Sequence, residues 1–355
     1  MGFISNNEMK FTITINSRVF DISNIDRITT LAKPENKEIY QQIFLFLVEW
    51  ANDQSYIEVN TSGSTGTPKL IRLSKKSMLI SAQYTCDFFQ LNKQSNALLC
   101  LPVHYIAGKM MLVRAILSGL NLIVSSPVSN PLKDVNKEID FLALTPYQVY
   151  NSLEDIKKGL FDNIIIGGAP VGPDLEDKLK DLTCNIYETY GMTETSSHIA
   201  LRKISGADRS EWFKIWDDIK ISTDSEEGLL IKVPYITDIE LVTNDIVEIK
   251  EKVKFKWKGR KDNVINSGGI KIFPEQIEYK LYNVIDTAFY ITSLKDNKLN
   301  EKVVLVIEGK ISSTEKEKLF EKIIPVLNKH EIPKELIAVG KFERTQTGKI
   351  IRIKY

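Results

Sequence analysis

Thr61-Ser62-Gly63-Ser64-Thr65-Gly66-Thr67-Pro68-Lys69 follows Tyr56-Ile57-Glu58-Val59, a run that reads as a strand. Glycines let a loop turn tightly and let its N–H groups approach an anion. The hydroxyls add donors, and Lys69 adds a point charge suited to phosphate oxygens. The run is a candidate phosphate cradle but not a Walker A loop. Counted from Gly63, Pro68 stands where that pattern needs glycine, and Leu70 where it needs Ser or Thr. A solvent-exposed Ser/Gly turn is the plainer reading of the run taken alone.

Around the cradle the chain alternates between strand and helix patterns. Phe11, Ile13 and Ile15 alternate with polar residues, and residues 36–51 carry apolar side chains at helical spacing. Ser74 is placed to cap a helix running to Phe89. Apolar strands are expected at 97–101, 121–125, 141–144 and 163–166, with a helix over 106–117. Continuous apolar strands alternating with helices predict an α/β fold whose mainly parallel sheet is covered on both faces. Ligands of such sheets sit at the carboxyl ends of the strands, where the cradle and Gly167-Gly168-Ala169 both fall. Beyond residue 228 the texture turns to short β segments at 229–233, 246–249 and 254–257, then a polar break at Gly259-Arg260-Lys261-Asp262. Helices at Pro274 and over 313–328, with strands near Phe289 and at 303–307, predict a small α+β C-terminal domain. The expected domains are 1–261 and 262–355.

The chain has 355 residues, enough for two domains and a large core. Its 43% hydrophobic and 26% charged residues are ordinary for a globular protein. A net charge of +1 argues against a nucleic-acid partner held by bulk electrostatics. Cys86, Cys100 and Cys184 lack paired metal spacing and read as reduced thiols. The start shows no signal-peptide pattern, and no apolar run is long enough to span a bilayer, so a cytoplasmic protein without membrane insertion is expected. Oligomeric state is left open.

Four further stretches carry chemistry. In Tyr187-Glu188-Thr189-Tyr190-Gly191-Met192-Thr193-Glu194-Thr195 a glycine permits a sharp turn, Thr193 offers a donor to phosphate, and Glu194 offers a carboxylate to Mg²⁺. A helix start with Glu at its positive end is the alternative. Thr243-Asn244-Asp245 is placed between β segments, and Asp245 with Arg260 suits ribose hydroxyls; a surface turn and a salt-bridging arginine would look the same. Arg344-Thr345-Gln346-Thr347-Gly348-Lys349 is a basic loop, or a solvated tail.

Taken in order, the cradle, Gly167-Gly168-Ala169, Tyr190-Gly191-Met192-Thr193-Glu194, Asn244-Asp245, Gly259-Arg260-Lys261-Asp262 and Thr347-Gly348-Lys349 resemble the adenylate-forming superfamily over residues 56–355. Its members include acyl-CoA synthetases, the adenylation domains of peptide synthetases, and luciferases. The resemblance implies that ATP and a carboxylic acid give an acyl-adenylate, from which a thiol, usually that of coenzyme A, displaces AMP. Residue by residue, it implies that Thr61, Ser62, Gly63, Ser64, Thr65, Gly66 and Lys69 cradle the β- and γ-phosphates. Gly167, Gly168, Ala169, Tyr190 and Gly191 would hold the adenine, Thr193 the α-phosphate and Glu194 Mg²⁺. Asp245 and Arg260 would take the ribose, Asp262 would be the hinge, and Gly268-Gly269 would pass the pantetheine. Lys349 would bridge the carboxylate and the α-phosphate, offsetting the repulsion of two anions.

Three departures accompany the likeness. Sixty residues precede the cradle, fewer than family members usually carry, so a shortened N-terminal subdomain is expected. Asn244 replaces a usual glycine, an exchange expected to be tolerated because Asn accepts left-handed geometry. In Leu101-Pro102-Val103-His104-Tyr105-Ile106-Ala107-Gly108, either His104 or Tyr105 fills the place of the usual pocket histidine.

The compact length, residues 104–117 with Arg114, and residues 262–269 most resemble the branch that joins 2-succinylbenzoate to CoA in menaquinone biosynthesis. That acid keeps an unreacted ring carboxylate, for which Ser197, His198, Arg202, Lys109 and Arg114 are the candidate partners, with Tyr105, Ile106 and Ala107 as an apolar wall. A free-standing adenylation enzyme that loads an aryl or amino acid onto a carrier protein is the alternative.

Overall fold

A computed structural model describes residues 11–21, 23–60, 70–237, 239–344 and 350–353. The cradle at 61–69 and Lys349 therefore lie outside the described residues. By packing, the chain falls into two compact units. One holds residues up to 171, 178–220 and 232–239; the other holds 172–177, 221–231 and 240–355. Residues 240–261 pack with the second unit, so the packing boundary and the hinge expected at Asp262 are different features.

The first unit is built on a sheet whose six central strands are parallel. They run in the order Asn185–Gly191, Phe161–Ile166, Ile139–Leu144, Asn96–Leu99, Asn121–Val124 and Thr12–Ile15. Antiparallel strands flank them: Arg18–Asp21 at one side, His198–Lys203 and Phe213–Ile215 at the other. Consecutive residues such as Leu98 and Leu99, or Ile164, Ile165 and Ile166, are all buried, which requires cover on both faces. The helix Lys75–Phe89 begins as expected, with Ser74 accepting the Ser77 N–H, and ends on Gln90 in the left-handed region. The Ile106–Ser118 helix closes on Gly119 at φ 70°, where a side chain would be strained.

One expectation fails here. Tyr56–Asn60 does not join the parallel sheet; it pairs antiparallel with Leu70–Ser74, with Asn60 opposite Leu70. The cradle is thus the connection of a separate hairpin. Glu58 and Arg72, opposite each other and paired at 3.1 Å, favour that register.

In the second unit the strands Gly228–Lys232, Leu241–Lys250 and Lys254–Arg260 form an antiparallel ribbon. Thr243, Asn244 and Asp245 lie inside a strand rather than between segments, because Asp245 pairs with Arg260 across the ribbon. The expected polar break is correspondingly shorter: Gly259 and Arg260 finish a strand, and Lys261–Asn263 forms a single 3-10 turn.

The C-terminal sheet contains Ile265–Ser267, Ile270–Ile272, Phe289–Asp296 and Asn300–Glu308, with Glu335–Val339 parallel to the last. One face packs on the helices Pro274–Leu281 and Ser313–Ile323 through Ile277, Leu281, Ile291, Leu305 and Ile323. The second helix stops at Ile323 rather than 328, because Pro325 cannot continue it.

Candidate active site

The stretch expected to meet the phosphates turns at Gly191. This residue pairs with His198 across the antiparallel strands, and a Cβ there would lie 2.5 Å from the His198 Cα. Only glycine lets the chain turn so closely, which folds residues 192–197 into a short connection. Thr193–Thr195 is a 3-10 turn, not the start of an α-helix, and the Thr195 hydroxyl fastens it, accepting the Met192 N–H at 2.9 Å and donating its one proton toward the Ser197 carbonyl at 2.7 Å. The Leu70–Ser74 strand packs beside this turn, and the Ser77 and Ser196 hydroxyls meet at 3.3 Å. Glu194 is exposed, and no cation pairs with it among the described residues. A lone carboxylate suits Mg²⁺, a cation that takes its other ligands from phosphates and water; no cluster of three ligating residues exists among the described residues.

The residues expected to hold adenine lie at the carboxyl ends of two adjacent parallel strands. Ile166 registers with Glu188, so Gly167, Gly168 and Ala169 leave one strand where Thr189 and Tyr190 continue the next. A Cβ on Gly167 would stand 2.5 Å from the Thr189 hydroxyl, and Gly168 has φ 83°. The Tyr190 ring sits edge-on to Phe213 at 6.0 Å. Sequence reading missed the residue that couples the two segments. Buried Glu188 accepts the Val171 N–H at 2.8 Å with one oxygen and the Arg202 guanidinium at 2.7 Å with the other. A carboxylate in the middle of an apolar strand pattern was the available signal.

A seam of buried polar atoms, including Ser197 and His198 expected at the acid, runs between the Lys75–Phe89 helix and the start of the His198–Lys203 strand. Ser77, Ser81 and Thr85, four residues apart, share one helix face and are buried. Thr85 Oγ1 lies 3.4 Å from His198 Nε2, Ser197 Oγ lies 3.2 Å from His198 Nδ1, and Arg114 Nη2 donates to Ser197 Oγ at 3.0 Å. Arg114 is 2% exposed, its Nε is buried without a hydrogen-bond partner, and it pairs with no carboxylate among the described residues. Its other neighbours are the Met111 sulfur at 3.6 Å and the Phe141 ring at 5.7 Å. Burial pulls the guanidinium down to about 10, so it stays charged at neutral pH. Burial, and then the Arg114 charge, hold His198 well below the ordinary histidine range and keep it neutral.

The other candidate cations are engaged. Arg202 is taken by Glu188, and Lys109 pairs with Glu49 at 3.2 Å. The His104 and Tyr105 rings lie 4.1 Å apart, tilted by 51°, at the exposed start of the Ile106–Ser118 helix, and Ala107 is exposed with them. Gly108 fixes that start: a Cβ there would clash with the Pro102 carbonyl.

In the second unit, Asp245 accepts the Trp257 indole N–H at 3.1 Å and stands 3.8 Å from the Arg260 guanidinium. Arg260 also reaches Asp262 at 3.4 Å, and the Asn244 amide donates to Asp262 at 3.2 Å. Asn244 has no positive φ, so its tolerance of left-handed geometry is not what it contributes; its amide ties the ribbon to Asp262. Gly268 and Gly269, at φ 58° and 83°, form the exposed two-residue turn between Ser267 and Ile270. Cys86 and Cys100 are buried and Cys184 is partly so, and burial raises all three thiols. No described helix is long and apolar enough to cross a membrane.

Comparison with known proteins bears on this arrangement. A family model described as AMP-binding enzyme matches residues 22–223. A 2-succinylbenzoate–CoA ligase of a Geobacillus species is 24% identical over 98% of this chain and 76% of its own length. The corresponding Staphylococcus aureus ligase is 27% identical over 83% of this chain, which spans 65% of that protein. Among solved structures, an acyl-CoA synthetase (AMP-forming)/AMP-acid ligase II-like protein from Dyadobacter fermentans is 35% identical, with TM-score 0.60. The match covers 91% of this chain and 95% of that one. The o-succinylbenzoate CoA synthetase of Bacillus subtilis, bound to its acyl-adenylate intermediate, shares the fold with TM-score 0.72 at 19% identity, over 83% of this chain and 67% of that one.

Proposed function

The chain belongs to the AMP-binding enzyme family, and from that premise we propose that it is an ATP-dependent, AMP-forming acid–CoA ligase whose acid is 2-succinylbenzoate. One observation carries the choice of acid: the buried Arg114 guanidinium has no carboxylate among the described residues. An unpaired buried charge is costly unless a partner arrives with the ligand. 2-Succinylbenzoate offers one, because its ring carboxylate does not react. The names of the curated relatives support the same acid.

In the first half-reaction the succinyl carboxylate attacks the α-phosphorus of ATP, forming an acyl–phosphate bond as the bond to pyrophosphate breaks. Thr193 donates to the α-phosphate oxygens; Glu194 would hold Mg²⁺, which would supply charge neutralisation at the phosphates. Lys349 places a cation between the two approaching anions. Gly167, Gly168, Ala169 and Tyr190 hold the adenine; Asp245 and Arg260 hold the ribose. In the second half-reaction the coenzyme A sulfur, having lost its proton, attacks the acyl carbon, and the carbon–oxygen bond to AMP breaks. Asp262 is the hinge between the two arrangements, and Gly268-Gly269 lets pantetheine pass.

Acid-dependent ATP–pyrophosphate exchange tests this reading. 2-Succinylbenzoate should support exchange well, and 4-oxo-4-phenylbutanoate, which lacks the ring carboxylate, poorly. Adding CoA should release the thioester. Equal rates with the two acids, or a preference for benzoate or a medium-chain fatty acid, would sink the substrate assignment and leave the chemistry. Exchange without thioester formation would favour a carrier-protein acceptor.

A further inference from the structure

One buried ion pair reaches both segments expected to hold adenine. The segment Gly167-Gly168-Ala169 is tied at each end to the neighbouring strand. Thr189 donates to Ile166 O at 3.0 Å before it, and Glu188 Oε1 accepts the Val171 N–H at 2.8 Å after it. Between those ties Gly168 is exposed, with Gly167 and Ala169 half-buried. Glu188 and Tyr190, two apart on one strand, share a face of the sheet. Arg202 stands directly opposite Glu188 on the next strand and donates to its Oε2, through Nε at 2.8 Å and Nη2 at 2.7 Å. The same guanidinium lies 5.7 Å from the Phe213 ring, which meets the Tyr190 ring edge-on. Glu188 is 6% exposed and Arg202 9%.

We propose that Glu188 and Arg202 are positioning residues for the adenine of ATP, together setting the spacing between Gly167-Gly168-Ala169 and Tyr190. The inference rests on the adenine role given to those segments above, and it moves Arg202 from the acid, where its charge made it a candidate, to the nucleotide. Three observations favour it over a merely stabilising pair. First, replacing a buried ion pair by apolar side chains is often neutral for stability, so net stability alone is a weak reason for having one. Second, the two carboxylate oxygens serve different segments. One holds the backbone at the exit of the glycine segment; the other holds the guanidinium that leads through Phe213 to Tyr190. A change in the pair is therefore felt on both sides of the base. Third, a Cβ built on Gly168, at φ 83°, would touch nothing within 4 Å, so the segment is placed by the ties at its ends rather than by packing at its apex.

Two double variants remove the pair without leaving a lone buried charge. Glu188→Met with Arg202→Met also releases the Val171 N–H; Glu188→Gln with Arg202→Met keeps an acceptor for it. Both are assayed by ATP–pyrophosphate exchange, using 2-succinylbenzoate or the acid that the exchange panel selects. KM for ATP should rise roughly 10-fold in the first variant and roughly 3-fold in the second, a difference of about one hydrogen bond. The kcat, and KM for the acid, should stay within about 2-fold of the parent, because a contact equally strong in ground and transition states changes KM alone. The equilibrium Kd for AMP, which carries the base, should rise in step with KM for ATP. Inhibition by inorganic tripolyphosphate, which lacks the base, should hold. An unchanged KM for ATP in the first variant, equal weakening of AMP and tripolyphosphate, or a loss of kcat at unchanged KM would overturn the proposal. If the first variant fails to accumulate as folded protein, the second decides by its own rise in KM, and failure of both to fold assigns the pair to stability. Tyr190→Ala checks the underlying reading: unchanged AMP affinity there would overturn the adenine role itself, whatever the pair does.

Discussion

Arg114 reaches across 83 residues of sequence to donate to the Ser197 hydroxyl at 3.0 Å. The contact joins the helix that follows the Pro102 turn to the strand that follows Glu194, so the proposed acyl and phosphate ends of the site share a side-chain link.

Arg114→Met should therefore change selectivity more than stability. Losing a charged hydrogen-bonding partner costs about 1.5–3 kcal/mol, so the preference for 2-succinylbenzoate over 4-oxo-4-phenylbutanoate should shrink by roughly 10- to 100-fold. Because the free guanidinium is buried and unpaired, the thermal midpoint should hold or rise. A drop in the midpoint with selectivity intact would make Arg114 a structural residue.

His198 makes a prediction about acid. Its folded-state pKa is depressed, first by burial and then by Arg114, so the unfolded chain binds a proton near pH 6.5 that the folded chain refuses. The stability it contributes is present above 6.5 and is lost as the pH falls, at up to about 1.4 kcal/mol per pH unit. His198→Gln should flatten the dependence of the urea midpoint on pH between 6.5 and 5. An unchanged slope would show that His198 protonates freely in the fold.

Lys349→Ala should slow acid-dependent exchange by roughly 10²–10³, as expected for one positioned donor of developing charge. Thioester formation from supplied acyl-adenylate should be spared. Equal loss in the two assays would remove Lys349 from the first step.

Asp262→Pro should act in the opposite direction. Proline fixes φ, whereas a hinge residue must change its backbone dihedrals. Transfer from pre-made adenylate to CoA should fall more than exchange does. Equal transfer by variant and parent would reject Asp262 as the hinge.

Much of this protein was legible from period and punctuation. Runs such as 141–144 and 164–166 are continuously apolar because those strand segments are buried on both faces, and Ser74 announced its helix because an N-cap hydroxyl satisfies a local donor. What stayed hidden depends on pairing across long separations. Nothing local says that, among the described residues, Tyr56–Asn60 pairs with Leu70–Ser74 rather than joining the parallel sheet, or that Asp245 lies mid-strand opposite Arg260. The candidate cations show the same limit at the site. Lys109, Arg114 and Arg202 look alike as letters; the fold gives Glu49 to the first and Glu188 to the last, and leaves Arg114 without a carboxylate among the described residues. Ser77, Ser81 and Thr85 could have been found, since hydroxyls four apart on a helix share one face.

The close pairing of Gly191 with His198 bears on how such an enzyme acquires new substrates. Thr193 and Glu194 sit inside the same tight connection that ends at Ser197 and His198, with backbone in contact at its base. A substitution at its acyl end that shifted the backbone would also displace the two residues proposed to meet the phosphates, lowering turnover with every acid. Arg114 approaches from a separate helix and meets the connection through the Ser197 hydroxyl. Divergence toward other acids is therefore least constrained on that helix, where a change of specificity leaves the phosphate chemistry in place.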